Sequence, residues 1–278
     1  MIGLILGSAG ALAGVVVVDM LDVGQGDAIL IQGGGKFVLI DAGDRGTNTV
    51  TQLKQLGVTR LDLVVATHPH ADHIGEMADV LRTFSIGLYL DSGLTHTTSV
   101  YAEVNAVLTE KKIPRKVAVT GTSISLGSEA KISVLFPGPS PLTGTRSDLN
   151  SNSVCVLLTH EDNTFLFTGD AEEPTEYALL QAGLQDVDLL KVAHHGSPYS
   201  TTAKFLAVAD PEWGLISVGA DNRYHHPSPD TIRRLQSVGA AVYRTDTSGN
   251  LRVISDGEQI EILEGSLAEL IRIPILQR

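Results

Sequence analysis

The feature that most constrains the fold is a succession of short apolar runs rich in Val, Ile and Leu, punctuated by Gly, Asn, Asp and Pro. Runs of this length and composition are typical of buried β-strands. Segments with apolar residues at helical spacing lie between them. The pattern predicts an α/β (α+β) fold in which two sheets pack together and helices cover both outer faces. The predicted helices are Thr49–Leu56, Ile74–Phe84, Val100–Leu108, Glu173–Ala182, Thr201–Ala209 and Pro229–Val238.

The chain is long enough for one large domain, and residues 15–263 contain no long linker or repeat. Residues 1–18 carry no charged side chain. We therefore interpret residues 1–14 as an apolar lead-in, either the end of a membrane segment or an ordinary approach to the first strand. Residues 264–278 are predicted to form a C-terminal tail.

Composition excludes some classes of function. The net charge of −12 argues against a surface coated in basic residues that holds nucleic acid non-specifically, although a local basic site remains compatible with it. The single cysteine, Cys155, excludes an internal disulfide and a cysteine-rich zinc site. Because Cys155 lies in the apolar run SVCVLLT, we predict that it is a buried core residue.

The segment LVVATHPHADHIGEM, residues 63–77, places strong metal ligands directly after an apolar run. His68 and His70 point the same way in an extended segment, because side chains alternate along it. Asp72 and His73 follow at a predicted helix start, where Asp is favoured. Imidazole and carboxylate ligands suit zinc, manganese or iron. The segment therefore predicts part of a metal site, with two histidines on one ion and the Asp–His pair aimed at a second.

Other predicted strands end in residues that can complete such a site. TFLFTGD ends at Asp170, and VDLLKVAHH ends at His194 and His195. RYHHPSPD adds His225 and His226 just before a predicted helix. Residues that converge from several strand ends are typical of catalytic sites. His96 and His160 lie in turn-like stretches without a partner, and we predict that both are surface residues.

These motifs resemble the metallo-β-lactamase superfamily: HPHADH, with Asp41 of LIDAG before it and LFTGD and AHHGS after it. LDVGQGDAILIQ, SNSVCVLLTH and ISVGADNRYHHPSPDTIRRL further resemble the C-terminal domain of ComEC-type DNA-uptake proteins. The likeness runs from about Asp19 to Ile262. It implies an αββα four-layer sandwich with two divalent metal ions, Mn²⁺ or Zn²⁺, between the sheets.

The resemblance also assigns roles to residues. His68 and His70 are expected on the first metal, Asp72 and His73 on the second, and Asp170 between them. His195 is expected to complete the second site and His194 to face the substrate, although these two can be exchanged. The expected catalytic residues are Asp72, His194, Asn222 and His226, and the expected substrate-binding residues are Lys191, Ser197 and Arg223.

One departure from the superfamily concerns the first metal. A third histidine normally joins that metal, but the corresponding segment, RSDLNSNSVCV, offers only Asp148, Asn150 and Asn152. ComEC-like domains share this loss. The first site is therefore expected to be poorer in nitrogen and richer in oxygen, which favours manganese over two tightly bound zinc ions.

The function that this likeness implies is a metal-dependent phosphodiesterase, a deoxyribonuclease that degrades one strand of DNA during uptake in natural transformation. A metal-activated water is the expected nucleophile. The alternatives are a non-catalytic module that guides DNA at a membrane channel, and a phosphodiesterase of small substrates like phosphorylcholine esterases. The expected partners are DNA, single-stranded or duplex, and a membrane-channel part of the same longer protein, with the domain outside the cytosol. Metal identity, strand polarity and oligomeric state stay open.

Overall fold

The computed structural model describes residues 14–273. The predicted lead-in before Gly14 and the last residues of the predicted tail lie outside that range. The strands are β1 (Val16–Met20), β2 (Ile29–Gly33), β3 (Lys36–Ile40), β4 (Arg60–Leu61), β5 (Leu63–Ala66), β6 (Ser85–Ile86), β7 (Tyr89–Asp91), β8 (Arg115–Val117), β9 (Ser123–Leu126), β10 (Ala130–Phe136), β11 (Cys155–His160), β12 (Asn163–Phe167), β13 (Leu189–Lys191), β14 (Trp213–Ile216), β15 (Ala241–Arg244), β16 (Asn250–Ser255) and β17 (Ile260–Gly265). The α-helices are α1 (Thr49–Gln55), α2 (Ala71–Ile74), α3 (Met77–Thr83), α4 (Ser99–Glu110), α5 (Glu173–Gln181), α6 (Ala203–Ala209), α7 (Pro229–Ser237), α8 (Thr245–Ser248) and α9 (Leu267–Leu270).

The first sheet has the order β17-β16-β1-β2-β3-β5-β7-β8. Alternate residues of its central strands face different apolar layers. Ile29 and Ile31 of β2 lie in the core between the two sheets, whereas Leu30 lies in the core under the helices. Both faces of such a strand are therefore buried, which explains why the sequence shows continuous apolar runs instead of alternation.

The second sheet has the order β15-β14-β13-β12-β11-β10-β9. Phe165 and Phe167 of β12 face the first sheet, and Leu166 between them faces the outer helices. Cys155 is fully buried in that outer core, as predicted.

Helices cover both sheets. Leu53 of α1, Val80 of α3 and Val104 of α4 pack in the apolar layer outside the first sheet. Leu206 of α6 and Leu235 of α7 pack in the layer outside the second sheet. The αββα four-layer sandwich expected from the sequence is confirmed.

Three strands that lack a continuous apolar run lie at the edges of the two large sheets. β8 and β17 border the first sheet, and β9 borders the second. The residues of β8 are all exposed, and those of β17 are at most half-buried. An edge strand with polar side chains lacks the apolar run that marks a buried strand. Pairing with a neighbour, rather than sequence pattern, defines these elements.

The chain beyond β17 packs back on the domain. Leu267 and Leu270 of α9 are buried, and Arg252 Nη1 donates a hydrogen bond of 2.8 Å to the carbonyl oxygen of Leu270. The first part of the predicted tail is therefore in contact with the first sheet. Between residues 14 and 273, no helix combines the length and the apolar character that crossing a membrane requires.

Candidate metal centre

The candidate ligands lie at one edge of the sandwich, where parallel strands end. Asp170 follows β12 and His195 follows β13, and these strands are parallel neighbours. Asp41 follows β3 and His68 follows β5, which are also parallel neighbours. The carboxyl ends of parallel strands meet at the same edge of a sheet. The short helix α2 continues the cluster directly beyond β5.

Four side chains converge on one point, which we call the second site: Asp72, His73, Asp170 and His195. One ligand atom from each lies within 4.8 Å of all the others. His73 Nε2 is 3.2 Å from Asp170 Oδ1, and His195 Nε2 is 3.4 Å from Asp72 Oδ2. His73 Nε2, Asp170 Oδ1 and His195 Nε2 are buried and make no hydrogen bond. Because buried polar atoms are normally paired, these unpartnered atoms fit a bound cation.

The electrostatics of the second site favour positive charge. Burial lowers the pKa of His73, but the carboxylates of Asp170, Asp41 and Asp72 outweigh it and raise that pKa well above its usual value. Burial raises the pKa of Asp170, but His73, His194 and His195 hold it well below its usual value. Asp72 and Asp170, whose pKa values are lowered, therefore stay ionised and attract a proton or a metal ion to the site.

The two histidines of the second site are oriented by neighbours behind them. His73 Nδ1 lies 2.7 Å from Asp41 Oδ2, and Thr67 donates to both oxygens of Asp41, from N at 2.8 Å and from Oγ1 at 2.6 Å. His195 Nδ1 donates to the carbonyl oxygen of Ser217 at 2.9 Å. These bonds place the proton on Nδ1 and leave Nε2 as the metal-facing acceptor.

Sequence reasoning missed Asp27, which lies beneath the second site. Its Oδ1 is 3.5 Å from His195 Nδ1, its Oδ2 pairs with the ammonium group of Lys191, and both side chains are buried. Lys191 Nζ also donates to the carbonyl oxygen of Gly169 at 3.0 Å. Lys191 was predicted to bind substrate, but the structure buries its charge and pairs it with Asp27 instead of exposing it to the cavity. The signal for a buried pair was a lysine inside an apolar strand.

The first site is less complete. His68 Nε2 is 3.0 Å from His70 Nδ1 and 3.8 Å from Asp170 Oδ2, so Asp170 reaches both sites. Burial and the neighbouring His73 lower the pKa of His68 well below its usual value, and burial lowers that of His70. Both rings are therefore neutral and able to bind a metal ion at neutral pH.

Asn150 occupies the segment that lacks the expected histidine. It borders the cavity over the metal centre, is 4% exposed, and has an Oδ1 atom without a partner. Asp148 instead accepts hydrogen bonds from Gly144 and Thr145 in its own loop. The side chain of Asn152 is also occupied, with Leu142 and the Asp148 carbonyl. Asn150 is thus the residue of the three that offers a free oxygen.

Unusual backbone conformations aim the paired histidines. His194 and His195 have φ values of 51° and 54°, in the left-handed region, which costs an L-residue roughly 1–2 kcal/mol. The kink sends His195 into the buried site and leaves His194 facing the cavity. Gly196 follows with φ 81°, and a Cβ there would approach Pro227 Cβ to 2.5 Å. Only glycine lets the two segments meet this closely.

The outer wall of the site is a cavity of about 390 Å³. His194 and His226 border it with ring centroids 5.8 Å apart. Burial, together with His194 and His195, lowers the pKa of His226 to about 4. Asn222 Nδ2 donates to the carbonyl oxygens of Gly219 and His226, at 2.9 and 2.6 Å. Its Oδ1 accepts from the backbone N–H groups of Tyr224 and His226. Asn222 therefore shapes the loop that presents His226.

Two further predicted substrate residues lie beside this wall. Ser197 is buried, its hydroxyl accepts from the backbone N–H of Tyr199, and it does not border the cavity, so its contact with substrate stays a prediction. Arg223 is exposed next to the cavity and donates to the hydroxyl of Tyr224 at 2.7 Å. His225, in the same loop, is exposed and does not border the cavity.

The two histidines predicted to be surface residues are not. His160 is buried, and its Nδ1 lies 2.7 Å from the hydroxyl oxygen of Ser255. His96 is half-buried and borders the cavity, with its ring centroid 5.8 Å from that of His70. Its position was missed because residues 92–98 have no regular pattern that predicts how they fold over the site.

Comparison with known proteins agrees with this geometry. The family model of the metallo-beta-lactamase superfamily matches residues 21–219, more than half of the chain. The chain therefore belongs to the metallo-β-lactamase superfamily and is a metal-dependent hydrolase. The solved structure of the metallo-beta-lactamase fold protein YhfI from Bacillus subtilis has the same fold, with a TM-score of 0.57 at 13% identity, over 86% of this chain and 99% of that one.

The curated relatives of this chain indicate which members of the superfamily it resembles. ComE operon protein 3 of Bacillus subtilis is 29% identical over 260 residues, which cover 84% of this chain and 32% of that protein. Competence protein ComA of Neisseria gonorrhoeae is 27% identical over 245 residues, again 84% and 32%. The likeness to ComEC-type proteins is confirmed. The chain spans about a third of the length of these relatives.

Proposed function

We propose that the chain is a phosphodiesterase acting on DNA, a deoxyribonuclease that degrades one strand during uptake, with water as the nucleophile. The observation that carries the proposal is the position of Asp170. This buried carboxylate reaches unpartnered histidine nitrogens of the second site and lies 3.8 Å from His68 Nε2 of the first. A shared carboxylate at the floor of an open cavity suits a phosphodiester that approaches two cations at once.

The second site would hold one ion through Asp72, His73, Asp170 and His195. The first would hold another through His68, His70 and Asp170. When bound, two divalent ions, Mn²⁺ or Zn²⁺, lower the pKa of a water molecule and offset the negative charge of the phosphoryl group. The mixture of nitrogen and oxygen atoms in both sets fits either metal.

Residues of the cavity wall would bind the parts of the substrate that do not contact the metal ions. With its pKa lowered to about 4, His226 is neutral at neutral pH and offers a ring N–H to a phosphate oxygen. His194 stands beside it, with Nε2 at 3.6 Å from Asp170 Oδ2, so it is near the reacting group. Asn222 is a positioning residue, since its amide holds the loop of His226.

The relatives support DNA as the substrate. Competence protein ComA carries the competence role in its name, and the chain matches about a third of that protein. We propose that the domain works in membrane-associated DNA uptake, outside the cytosol, next to a channel part of a longer protein.

A specific observation favours a second candidate, the phosphodiesterase of small substrates. The net charge of −12 repels a long polyanion more than a single phosphodiester, and a cavity of about 390 Å³ admits a small molecule.

The test is cleavage of labelled single-stranded and duplex DNA by the purified chain with Mn²⁺, Zn²⁺ or Mg²⁺ supplied separately, beside Asp72→Ala. Metal-dependent cutting that disappears in the variant is expected. Hydrolysis of a chromogenic phosphodiester without cutting of DNA would select the second candidate. Metal-dependent retention of DNA with neither activity would contradict both and select a DNA-guiding module.

A further inference from the structure

A row of aromatic and charged side chains begins on one wall of the cavity and continues onto the adjoining surface. Its first part is Tyr224, His226 and His194. Tyr224 stacks on His226 with ring centroids 5.8 Å apart and an interplanar angle of 23°. His226 meets the ring of His194 edge-on, also at 5.8 Å. All three residues border the cavity, so the row lies beside the reacting centre.

The row continues beyond His194 through a buried carboxylate. Glu172 Oε1 lies 3.6 Å from His194 Nδ1 and 2.5 Å from Arg146 Nη2. The Arg146 guanidinium lies 3.8 Å from the ring centroid of Tyr199. Arg146 also contributes to the lowered pKa of His226, after burial and the two neighbouring histidines, which agrees with its place near the cavity.

An Arg–Tyr pair therefore stands at each end of the row. At the other end, the Arg223 guanidinium lies 4.9 Å from the ring centroid of Tyr224. Tyr199 is 56% exposed and Tyr224 49% exposed. Tyr224 borders the cavity, and Tyr199 lies against Arg146 at the far end of the row. The other exposed tyrosine in residues 14–273, Tyr177 on α5, is 64% exposed and has no arginine stacked on its ring.

We propose that this row is the binding surface for unpaired DNA, with bases stacking on Tyr199 and Tyr224 and phosphates meeting Arg146 and Arg223. Aromatic rings combined with arginines are what proteins use to hold single strands, because every base has a face that can stack. In a duplex those faces are already covered by neighbouring base pairs. The inference rests on the proposed function and specifies its substrate as single-stranded DNA.

The row also resolves a difficulty of charge. A chain with a net charge of −12 lacks the broad basic surface that holds nucleic acid through its phosphates alone. Stacking is insensitive to that charge, so a few aromatic contacts supply affinity where a basic surface is absent. Arg223 adds local positive charge next to the phosphates, whereas Arg146, whose charge Glu172 offsets, contributes N–H donors.

The experiment measures binding of a short fluorescent phosphorothioate oligothymidine, which resists hydrolysis, by fluorescence anisotropy in Mn²⁺. Tyr199→Ala and Tyr224→Ala are each expected to weaken binding about tenfold, the effect of losing one stacked base. Tyr177→Ala is the control, an exposed tyrosine on α5 that is not part of the row. Tyr199→Phe is expected to keep the affinity, because stacking needs the ring and not the hydroxyl.

The duplex of the same sequence is expected to bind more weakly than the single strand. Equal affinity of Tyr199→Ala, Tyr224→Ala and Tyr177→Ala would overturn the proposal, as would a preference for the duplex or for an RNA strand, or no binding by the unsubstituted chain. The readout does not depend on cleavage. A chain that binds strands through these tyrosines without cutting DNA would contradict the nuclease proposal alone.

Discussion

The two halves of the metal centre are built unequally. The second site gathers four ligand atoms within 4.8 Å, and behind its histidines stand Asp41 and the Ser217 carbonyl. The first site has two histidines that face each other at 3.0 Å, the shared Asp170, and the unpartnered oxygen of Asn150 nearby. The second site is therefore already organised for a cation, whereas the first site depends more on oxygen ligands and solvent.

Substitution of Asp170, the carboxylate that both metal sites share, is expected to have the largest effect. Asp170→Asn removes the negative charge that both sites share, so metal binding in both halves is expected to weaken strongly. Hydrolysis is expected to fall on the order of a thousandfold, since the metal ions contribute several kcal/mol to the barrier. Metal content by mass spectrometry and the rate on a chromogenic phosphodiester check this, with circular dichroism to show that the fold is kept. Full activity in the variant would refute the site.

A substitution of Asp41, the carboxylate that orients His73, is expected to change metal affinity at the two sites unequally. Asp41→Asn weakens the hold on His73 Nδ1 and is expected to lower affinity at the second site about 10- to 100-fold. The first site reaches Asp41 through the Thr67 hydroxyl, which donates to Asp41 and lies 3.1 Å from His68 Nδ1, and its affinity is expected to change less. Calorimetric titration of the metal-depleted chain with Mn²⁺ measures both steps, and Asp79→Asn on the exposed face of α3 is the control. A loss confined to the weaker step would contradict this division.

Substitution of Asn150 by histidine is expected to make the metal affinities of the two sites more alike. Asn150→His introduces an imidazole where the superfamily has its third histidine, and it is expected to tighten the first site about tenfold and to shift its preference toward Zn²⁺. Asn150→Ala is expected to change that step in the opposite direction. Competition between Mn²⁺ and Zn²⁺ followed by calorimetry distinguishes the variants. If neither substitution alters the weaker step, Asn150 does not face the metal.

The two sites are also expected to differ in how their metal affinity depends on pH. The carboxylates around His73 raise its pKa, so below that pKa the ring carries a proton that an incoming ion must displace. Affinity at the second site is therefore expected to fall as pH falls, about tenfold per pH unit for each displaced proton. His68, whose pKa is lowered, is already neutral at pH 7, so the first site should be insensitive there. Titrations in buffers of different ionisation enthalpy count the released protons, and equal release in both steps would contradict the assignment.

The sequence predicted what depends on local pattern. HPHADH, Asp170 and His195 were recognisable because each follows an apolar strand, and parallel strands deliver their ends to one edge. The four-layer arrangement followed from the same alternation. The exposed edge strand β8 was missed because its three residues carry no apolar run.

The features that the sequence did not predict depend on contacts between residues that are far apart in the sequence. Lys191 is a charge inside a buried strand, and only its contact with Asp27, far away in the sequence, shows that it supports the site from below. His160 is likewise buried through a contact with Ser255 from another strand. Arg146 and Tyr199 come from separate segments and meet only in the folded chain. Spacing along the sequence carries no information about such contacts.

The two-metal centre is tested most directly by titration of the metal-depleted chain with Mn²⁺, with the number of bound ions and their affinities measured by calorimetry and electron paramagnetic resonance. We predict two ions per chain with unequal affinities, magnetically coupled to each other, and loss of the tighter step in Asp41→Asn. A single bound ion, or two equal and uncoupled ions that Asp41→Asn leaves unchanged, would contradict it.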